Sequence, residues 1–451
     1  MCAKRLCRLL RSILIPLLAS AGFLFAGGAR AQTPSPAGVA PNGAAAPLQK
    51  RTLIVKAYTL PPEEYAKAVS FARARYRLYF VRFGYSLLLL WAMLSGRIAP
   101  MFRDWAERIS MRRVVQVAVI VPLVLLTLDI LRLPLRVHGQ WLARRYDISV
   151  QGWGSWLWDW TKGELTNLVF ATFLAWILFG LVRRSPRRWW FYFWLAAVPL
   201  TLFLVFLAPV VIDPLYYRFQ PLAQEHPQLT SQIEAVAERG GLPIPAERIF
   251  EMKASEKLKA VNAYVTGLGS TKRVVVWDTT LRKMNDAQVL AVFGHEMGHY
   301  VLGHIRDGVL LSLGGLLIGL YVLHRALDWA LARRGAAWRI RGADDYAALP
   351  VLLLWIALLN FAGTPLENAI SRRIERQADV YGLEVTHGIV PDAPQVAAQT
   401  HQILGEINLE EPDPSAFIQF WFYSHPPVKE RLKLALEYNP WAEGRPLQFV
   451  K

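Results

Sequence analysis

His295, Glu296 and His299 stand in the pattern His-Glu-x-x-His. On a helix, residues four apart lie on one face, one turn apart, so two histidines at this spacing can bind one metal ion. Glu296 sits beside them and can take a proton from a water on that metal. One zinc ion per chain suits the set, and the chemistry it points to is hydrolysis of a peptide bond. So short a pattern also arises by chance, so its surroundings matter. Asn285 or Asp286 can cap a helix ahead of it, and Gln288 can complete a capping box. The helix is expected to run past the histidines to about Gly303. Gly294 and Gly298 leave room for close packing near the metal. His304 lies five residues beyond His299, about 140° further round the helix, and is expected not to face the same metal.

A catalytic zinc usually takes three protein ligands and keeps one position open. The third must lie downstream, among Glu367, Glu375, Asp379 and Glu384. Glu375 and Asp379 share one face of a polar helix by four-residue spacing. One could ligate zinc while the other orients a ligand histidine, and spacing does not say which. The chain has two cysteines, Cys2 and Cys7. A disulfide framework, cysteine-ligated metal and thiol chemistry are therefore excluded from the body of the chain.

Two further segments could serve such a site. Residues 260–266 and 273–277 read as strands joined by a turn at Gly267-Leu268-Gly269-Ser270-Thr271-Lys272. This is either an ordinary hairpin or, beside a metal, a free edge that holds an extended peptide. Near the C-terminus, Pro426 and Pro427 favour a helix start just after His425. His425 and Arg431 then either point back to the site, where they could stabilise an oxyanion, or belong to an exposed capped helix.

These residues need a scaffold, and the composition points to a membrane. Of 451 residues, 54% are hydrophobic, above the roughly 45–50% of soluble domains. Six apolar runs occur, Tyr79–Gly96, Val114–Leu131, Thr166–Val182, Trp189–Ile212, Gly308–His324 and Tyr346–Phe361. Each approaches the ~17–25 residues that cross a bilayer. Trp156, Trp158, Trp160, Trp189 and Trp190 cluster at run ends, as an interfacial belt would. Asp129 falls inside the second run and is expected to face protein or a water-filled interior. The net charge of +17 comes largely from basic residues flanking the runs, as in Arg183-Arg184-Ser185-Pro186-Arg187-Arg188. It is a topology signal, it favours the outer face for the polar segments, and no nucleic-acid partner is expected.

Residues 1–31 read equally as a signal peptide or a first transmembrane helix, with Lys4, Arg5, Arg8 and Arg11 ahead of an apolar stretch and Ala29-Arg30-Ala31 behind it. Residues 32–78 are a flexible linker and an amphipathic lead-in. Transmembrane helices occupy 79–212 and 308–361. The peptidase domain takes 213–307, with the edge strand and the His-Glu-x-x-His helix, and its C-terminal part takes 362–451.

Four segments coincide in order: Asn262-Ala263-Tyr264, His295 to His299, Glu375 to Asp379, and His425-Pro426-Pro427 with Arg431. With Leu60-Pro61-Pro62, Thr364-Pro365-Leu366-Glu367-Asn368 and the layout of apolar runs, they resemble the type I CAAX prenyl endopeptidase family of integral-membrane zinc metallopeptidases, which are gluzincin-like. The resemblance implies that Glu375 is the third zinc ligand and Asp379 its partner behind the metal. Asn262 and Ala263 would lie on the strand that binds substrate backbone, and His425 and Arg431 would steady the tetrahedral intermediate. It implies a mainly α, multi-pass membrane protein of about seven transmembrane helices forming a water-filled chamber, plus a zincin-type catalytic domain with a small β-hairpin or sheet. The six runs and the N-terminal segment total seven. The expected substrate is a peptide or protein tail, lipid-modified or not, met at the lipid bilayer. Eukaryotic members cut prenylated C-termini and usually present zinc to the cytosol, whereas the signal-like N-terminus here fits a bacterial inner membrane. The nearest rival is a membrane quality-control protease of the HtpX heat-shock type. A rival of another class is a non-catalytic scaffold or transporter without zinc.

Overall fold

The computed structural model describes residues 54–149, 151–203, 205, 217–255, 261–267 and 272–450. The N-terminal segment, the linker to residue 53, the end of the fourth apolar run and most of the hairpin turn lie outside the described residues. Helix α1 (Pro62–Ser95) opens with Pro62, whose fixed φ suits a first turn, and with Glu63 and Glu64, whose charges suit the helix dipole. Then come α2 (Ile98–Ile109), α3 (Arg113–Arg145), α4 (Trp153–Arg184) and α5 (Trp189–Leu202). A polar stretch carries α6 (Pro227–Arg239), four short strands, α7 (Asp278–Lys283) and α8 (Asp286–Val301). The chain then forms α9 (His304–Arg334), α10 (Leu349–Thr386), α11 (Ala393–Asn408), α12 (Ala416–Phe422) and α13 (Val428–Glu437).

Among the described residues, five helices are long and apolar enough to cross a membrane: α1, α3, α4, α9 and the helix at Tyr346–Thr386. Apolar α5 is shorter, and the expected seventh span falls in residues 1–31. The helices pack around Leu90, Ile120, Val124, Phe179, Trp189, Leu327 and Val351. Asp129 is buried as expected, with Arg136 at 3.1 Å, and Arg136 also bonds Glu164 on α4.

The sequence divides the last apolar run from a polar helix near Thr364-Pro365. The structure has one continuous helix there, with Pro365 inside it. An interior proline removes one backbone bond and kinks or weakens a helix, and neighbouring contacts hold this one together. The bond from Asn368 to the Trp421 carbonyl, at 2.6 Å, is one of them. At 38 residues, α10 is about 57 Å long, nearly twice the ~30 Å hydrocarbon thickness. That length leaves room for the polar C-terminal half, which carries Glu375 and Asp379, to stand clear of the bilayer.

The sheet comprises β1 (Phe219–Pro221), β2 (Ile249–Met252), β3 (Ala263–Thr266) and β4 (Arg273–Trp277), in the order β1-β2-β4-β3. β3 pairs antiparallel to β4, with Ala263 opposite Val276, and β2 pairs parallel to β4. The predicted hairpin is present, and β3 lies at one edge of the sheet among the described residues. Sheet, α6, α8 and the end of α10 share a second core around Ile233, Val236, Val274, Val276, Phe293, Met297, Tyr381 and Val385.

Candidate metal and active site

The site begins with the cap of α8. The Asn285 side chain accepts from the Gln288 amide at 2.9 Å, and the Asn285 amide donates to Gln288 Oε1 at 3.1 Å. This is the expected capping box. It fixes the start of α8 and so the rotation that aims His295 and His299 at α10. The two helices then approach through glycines. A Cβ on Gly294 would lie 3.0 Å from Thr386 Cγ2, one on Gly298 3.2 Å from Ala378 Cα, and one on Gly382 3.0 Å from the His295 nitrogen.

This approach brings three donors together. His295 Nε2 and His299 Nε2 are 3.2 Å apart. Glu375 Oε2 lies 3.2 Å from the first and Oε1 3.6 Å from the second. Asp379, one turn further on, sits behind His295, whose Nδ1 donates to Oδ1 at 2.8 Å. The pair left open by spacing alone is thus separated in space. Glu367 is exposed on α10. Glu384 is fully buried elsewhere, accepting from the Tyr438 hydroxyl and from the amides of Gln448, Phe449 and Val450 at 2.6, 2.8 and 2.9 Å. Neither reaches the histidines.

His425 Nε2 is 3.3 Å from Glu375 Oε2, and its Nδ1 is 3.0 Å from Ser424 Oγ. Arg431, on α13, donates twice to Asp379, from Nη2 to Oδ1 at 2.6 Å and from Nε to Oδ2 at 2.9 Å. Its guanidinium is therefore committed behind His295. Asn262 precedes β3. Its amide donates to Thr280 Oγ1 at 2.8 Å and its carbonyl accepts from the Trp277 amide at 3.1 Å. Ala263 is in β3, against which α8 packs.

The electrostatics match a cation-binding cleft. Burial pushes the His295 imidazole down, but the bonds to Asp379 and Glu375 outweigh it and lift it to about 10. Burial raises the Glu296 carboxyl, against the pull of His295 and His299. Burial also pushes the His425 imidazole down to about 4, so it is neutral at pH 7. His295, His299 and Glu375 each offer a donor atom, all within 4.8 Å of one another. Glu375 Oε2 is buried with no aligned hydrogen-bond partner, despite two imidazole nitrogens nearby. Two imidazoles and a carboxylate, with an orphaned carboxylate oxygen turned toward them, fit a divalent cation. A second group, Glu225, His226 and Glu251, is met by the Lys253 ammonium, 2.6 Å from Glu251 and 3.8 Å from Glu225, and needs no metal.

One residue set aside in the sequence belongs to this neighbourhood. α8 ends at Val301, close to the expected end near Gly303, and Gly303 turns the chain with φ +75°. His304 opens α9 and returns over His299, Nδ1 to Nδ1 at 3.2 Å, while its Nε2 is 3.1 Å from Gln377 Oε1. It does not join the three donors, as expected, but it touches one of them from behind. An angle of 140° holds only on an unbroken helix, and the glycine just before His304 is the signal against one. Half-buried His401 was also missed; it lies 4.0 Å from Asp379, and nothing in its spacing marks it.

Comparison with known proteins points to a peptidase family. Residues 53–218 match the family described as CAAX prenyl protease N-terminal, five membrane helices, and residues 223–439 match peptidase family M48. The chain is 35% identical over 376 residues to the metalloprotease YhfN of Bacillus subtilis, covering 83% of this chain and 86% of that one. It is 26% identical over 302 residues to CAAX prenyl protease 1 of Saccharomyces cerevisiae, covering 63% of each. The crystal structure of S. mikatae Ste24p shares the fold with a TM-score of 0.70 at 21% identity, over 87% of this chain and 93% of that one.

Proposed function

The chain belongs to the CAAX prenyl protease branch of peptidase family M48, as a multi-pass membrane metalloendopeptidase, and we propose that its metal is one zinc ion held by His295, His299 and Glu375. The observation that carries this is the convergence of two Nε2 atoms and the Glu375 carboxylate around a buried oxygen without a hydrogen bond. When bound, zinc supplies Lewis acidity to the scissile carbonyl and to the attacking water.

The residues of the chain do the rest. Glu296, with a carboxyl raised by burial, takes the water proton and passes it to the leaving amine. Asp379 keeps the proton of His295 on Nδ1, which leaves Nε2 free to ligate. Arg431 holds Asp379 ionised and oriented, so its part is positioning rather than contact with the reacting carbonyl. In neutral His425, with Nδ1 accepting from Ser424, Nε2–H is the remaining donor; it lies 3.3 Å from Glu375 Oε2 and can stabilise the oxyanion. Asn262 and Ala263 lead into the free edge of β3, along which an extended peptide can pair.

The substrate in this reading is a peptide or protein tail met at the membrane, in the manner of the relatives named CAAX prenyl proteases. The membrane is the bacterial inner membrane, on the strength of the signal-like N-terminus. The test is product mapping by mass spectrometry with a prenylated C-terminal peptide, its unprenylated twin and an unfolded protein. A single cut near the prenylated C-terminus supports the CAAX reading. Many internal cuts in the unfolded protein, with the prenylated peptide untouched, replace it with a quality-control activity.

A further inference from the structure

We infer that His304 and Gln377 form a two-bond relay that sets the tautomer of His299 and so makes it a metal ligand. The inference rests on the metal reading of the site. A neutral imidazole that gives its Nε2 lone pair to a metal must carry its proton on Nδ1, and that proton needs an acceptor. For His295 the acceptor is Asp379, at 2.8 Å. For His299 it is another imidazole nitrogen, His304 Nδ1, at 3.2 Å.

Two facing nitrogens can share only one proton. If His299 Nδ1 carries it, His304 Nδ1 is bare and the proton of His304 is on Nε2. That nitrogen faces Gln377 Oε1 at 3.1 Å, an acceptor. The donors then all point one way, from His299 to His304 to Gln377. Reversing the chain would put the shared proton on His304 and leave the His299 lone pair facing away from Glu375. The direction of two hydrogen bonds therefore decides whether His299 can ligate.

The fold builds this contact deliberately. The left-handed turn at Gly303 brings His304 back over His299, with ring centroids 5.2 Å apart and planes at 69°. His304 is buried, and Gln377 lies two residues from Glu375 on α10. The helix that supplies the carboxylate ligand thus also supplies the end of the relay. The two histidines differ in consequence. An anion backs His295, and a neutral chain backs His299.

The test measures zinc affinity by chelator competition, with the visible spectrum of the cobalt-substituted protein as a second readout. The detergent-purified full chain is compared with His304→Leu, His304→Asn and Gln377→Glu. Asn Oδ1 can stand where His304 Nδ1 stands, and a Glu at 377 keeps an acceptor for Nε2–H. His304→Leu should weaken zinc binding by about 10–100-fold and change the cobalt spectrum. His304→Asn should restore most of the affinity, and Gln377→Glu should match or exceed the unmutated chain. Equal affinity in His304→Leu overturns the relay, and so does a His304→Asn that loses as much as His304→Leu while both elute as folded protein. An unmutated chain that binds no zinc overturns the metal reading beneath it, which is a distinct result.

Discussion

Gly382→Ala places one methyl group where α8 and α10 are closest. The added Cβ would lie 3.0 Å from the His295 nitrogen, 3.2 Å from His295 Cα and 3.3 Å from the Gly294 carbonyl carbon. All three are backbone atoms, and none can rotate aside. Comfortable contact needs about 3.5–4.0 Å, so the helices must separate by roughly half an ångström. His295 and His299 ride on one helix and Glu375 on the other, at 3.2 and 3.6 Å. Metal sites tolerate about 0.2 Å in ligand distance, so the shift is more than zinc binding can absorb. Stability should respond differently. Overpacking costs about 1–3 kcal/mol, while replacing a mid-helix glycine by alanine returns about 1 kcal/mol. The net loss in folding should be small, and the loss in zinc affinity about tenfold or more. Gly363→Ala on the same helix is the control, since its nearest neighbour is a flexible glutamate oxygen at 3.8 Å. Thermal unfolding and chelator competition on both variants separate the two effects. A Gly382→Ala protein that binds zinc as the unmutated chain does would refute the idea that this contact sets the ligand spacing.

Other expectations follow from single contacts. Arg431→Leu leaves Asp379 buried without its bidentate partner. Breaking such a pair costs about 3–5 kcal/mol, and denaturant unfolding should show the loss, with Arg431→Lys retaining part of it. Glu384→Ala strands three backbone amides and the Tyr438 hydroxyl that hold the C-terminal tail. At about 1–3 kcal/mol for each buried unsatisfied group, the tail should detach, and limited proteolysis should remove it faster than in the unmutated protein. The Trp277–Asn262 bond makes 262 and 277 a hydrogen-bonded pair, so antiparallel alternation turns the Val265 amide outward. Val265→Pro should therefore raise KM for peptides and leave zinc content unchanged. An unchanged KM would argue against pairing of substrate along β3.

The face that carries the two proposed histidine ligands was readable because its information is local. Four-residue spacing fixes His295 and His299 on one side of a helix, and Asn285 with Gln288 fixes where that helix starts. The choice between Glu375 and Asp379 was not local. Both are carboxylates on one face of α10, and what separates them is how far α10 has slid along α8, set by Gly294, Gly298 and Gly382. The apolar runs marked the membrane helices but understated them. α1 begins at Pro62, well before Tyr79, and α10 continues past Pro365 because tertiary contacts outweigh a local helix breaker. β1 and β2, at three and four residues, are too short to show alternation. The position of His304 was hidden by measuring its angle as if it lay on the same helix as His299, and Glu384 looked like a ligand only because a sequence cannot show which amides surround a carboxylate.

We propose that His295, His299 and Glu375 hold a zinc ion beside which Glu296 moves a proton. It is tested most directly by metal content and peptidase activity of the detergent-purified protein, beside Glu296→Gln and Glu375→Ala. About one zinc per chain is expected. Glu296→Gln should keep the zinc and lose activity by roughly 10²–10⁴-fold, and Glu375→Ala should lose the zinc. An unmutated protein without zinc, or a Glu296→Gln protein as active as the unmutated one, would contradict it.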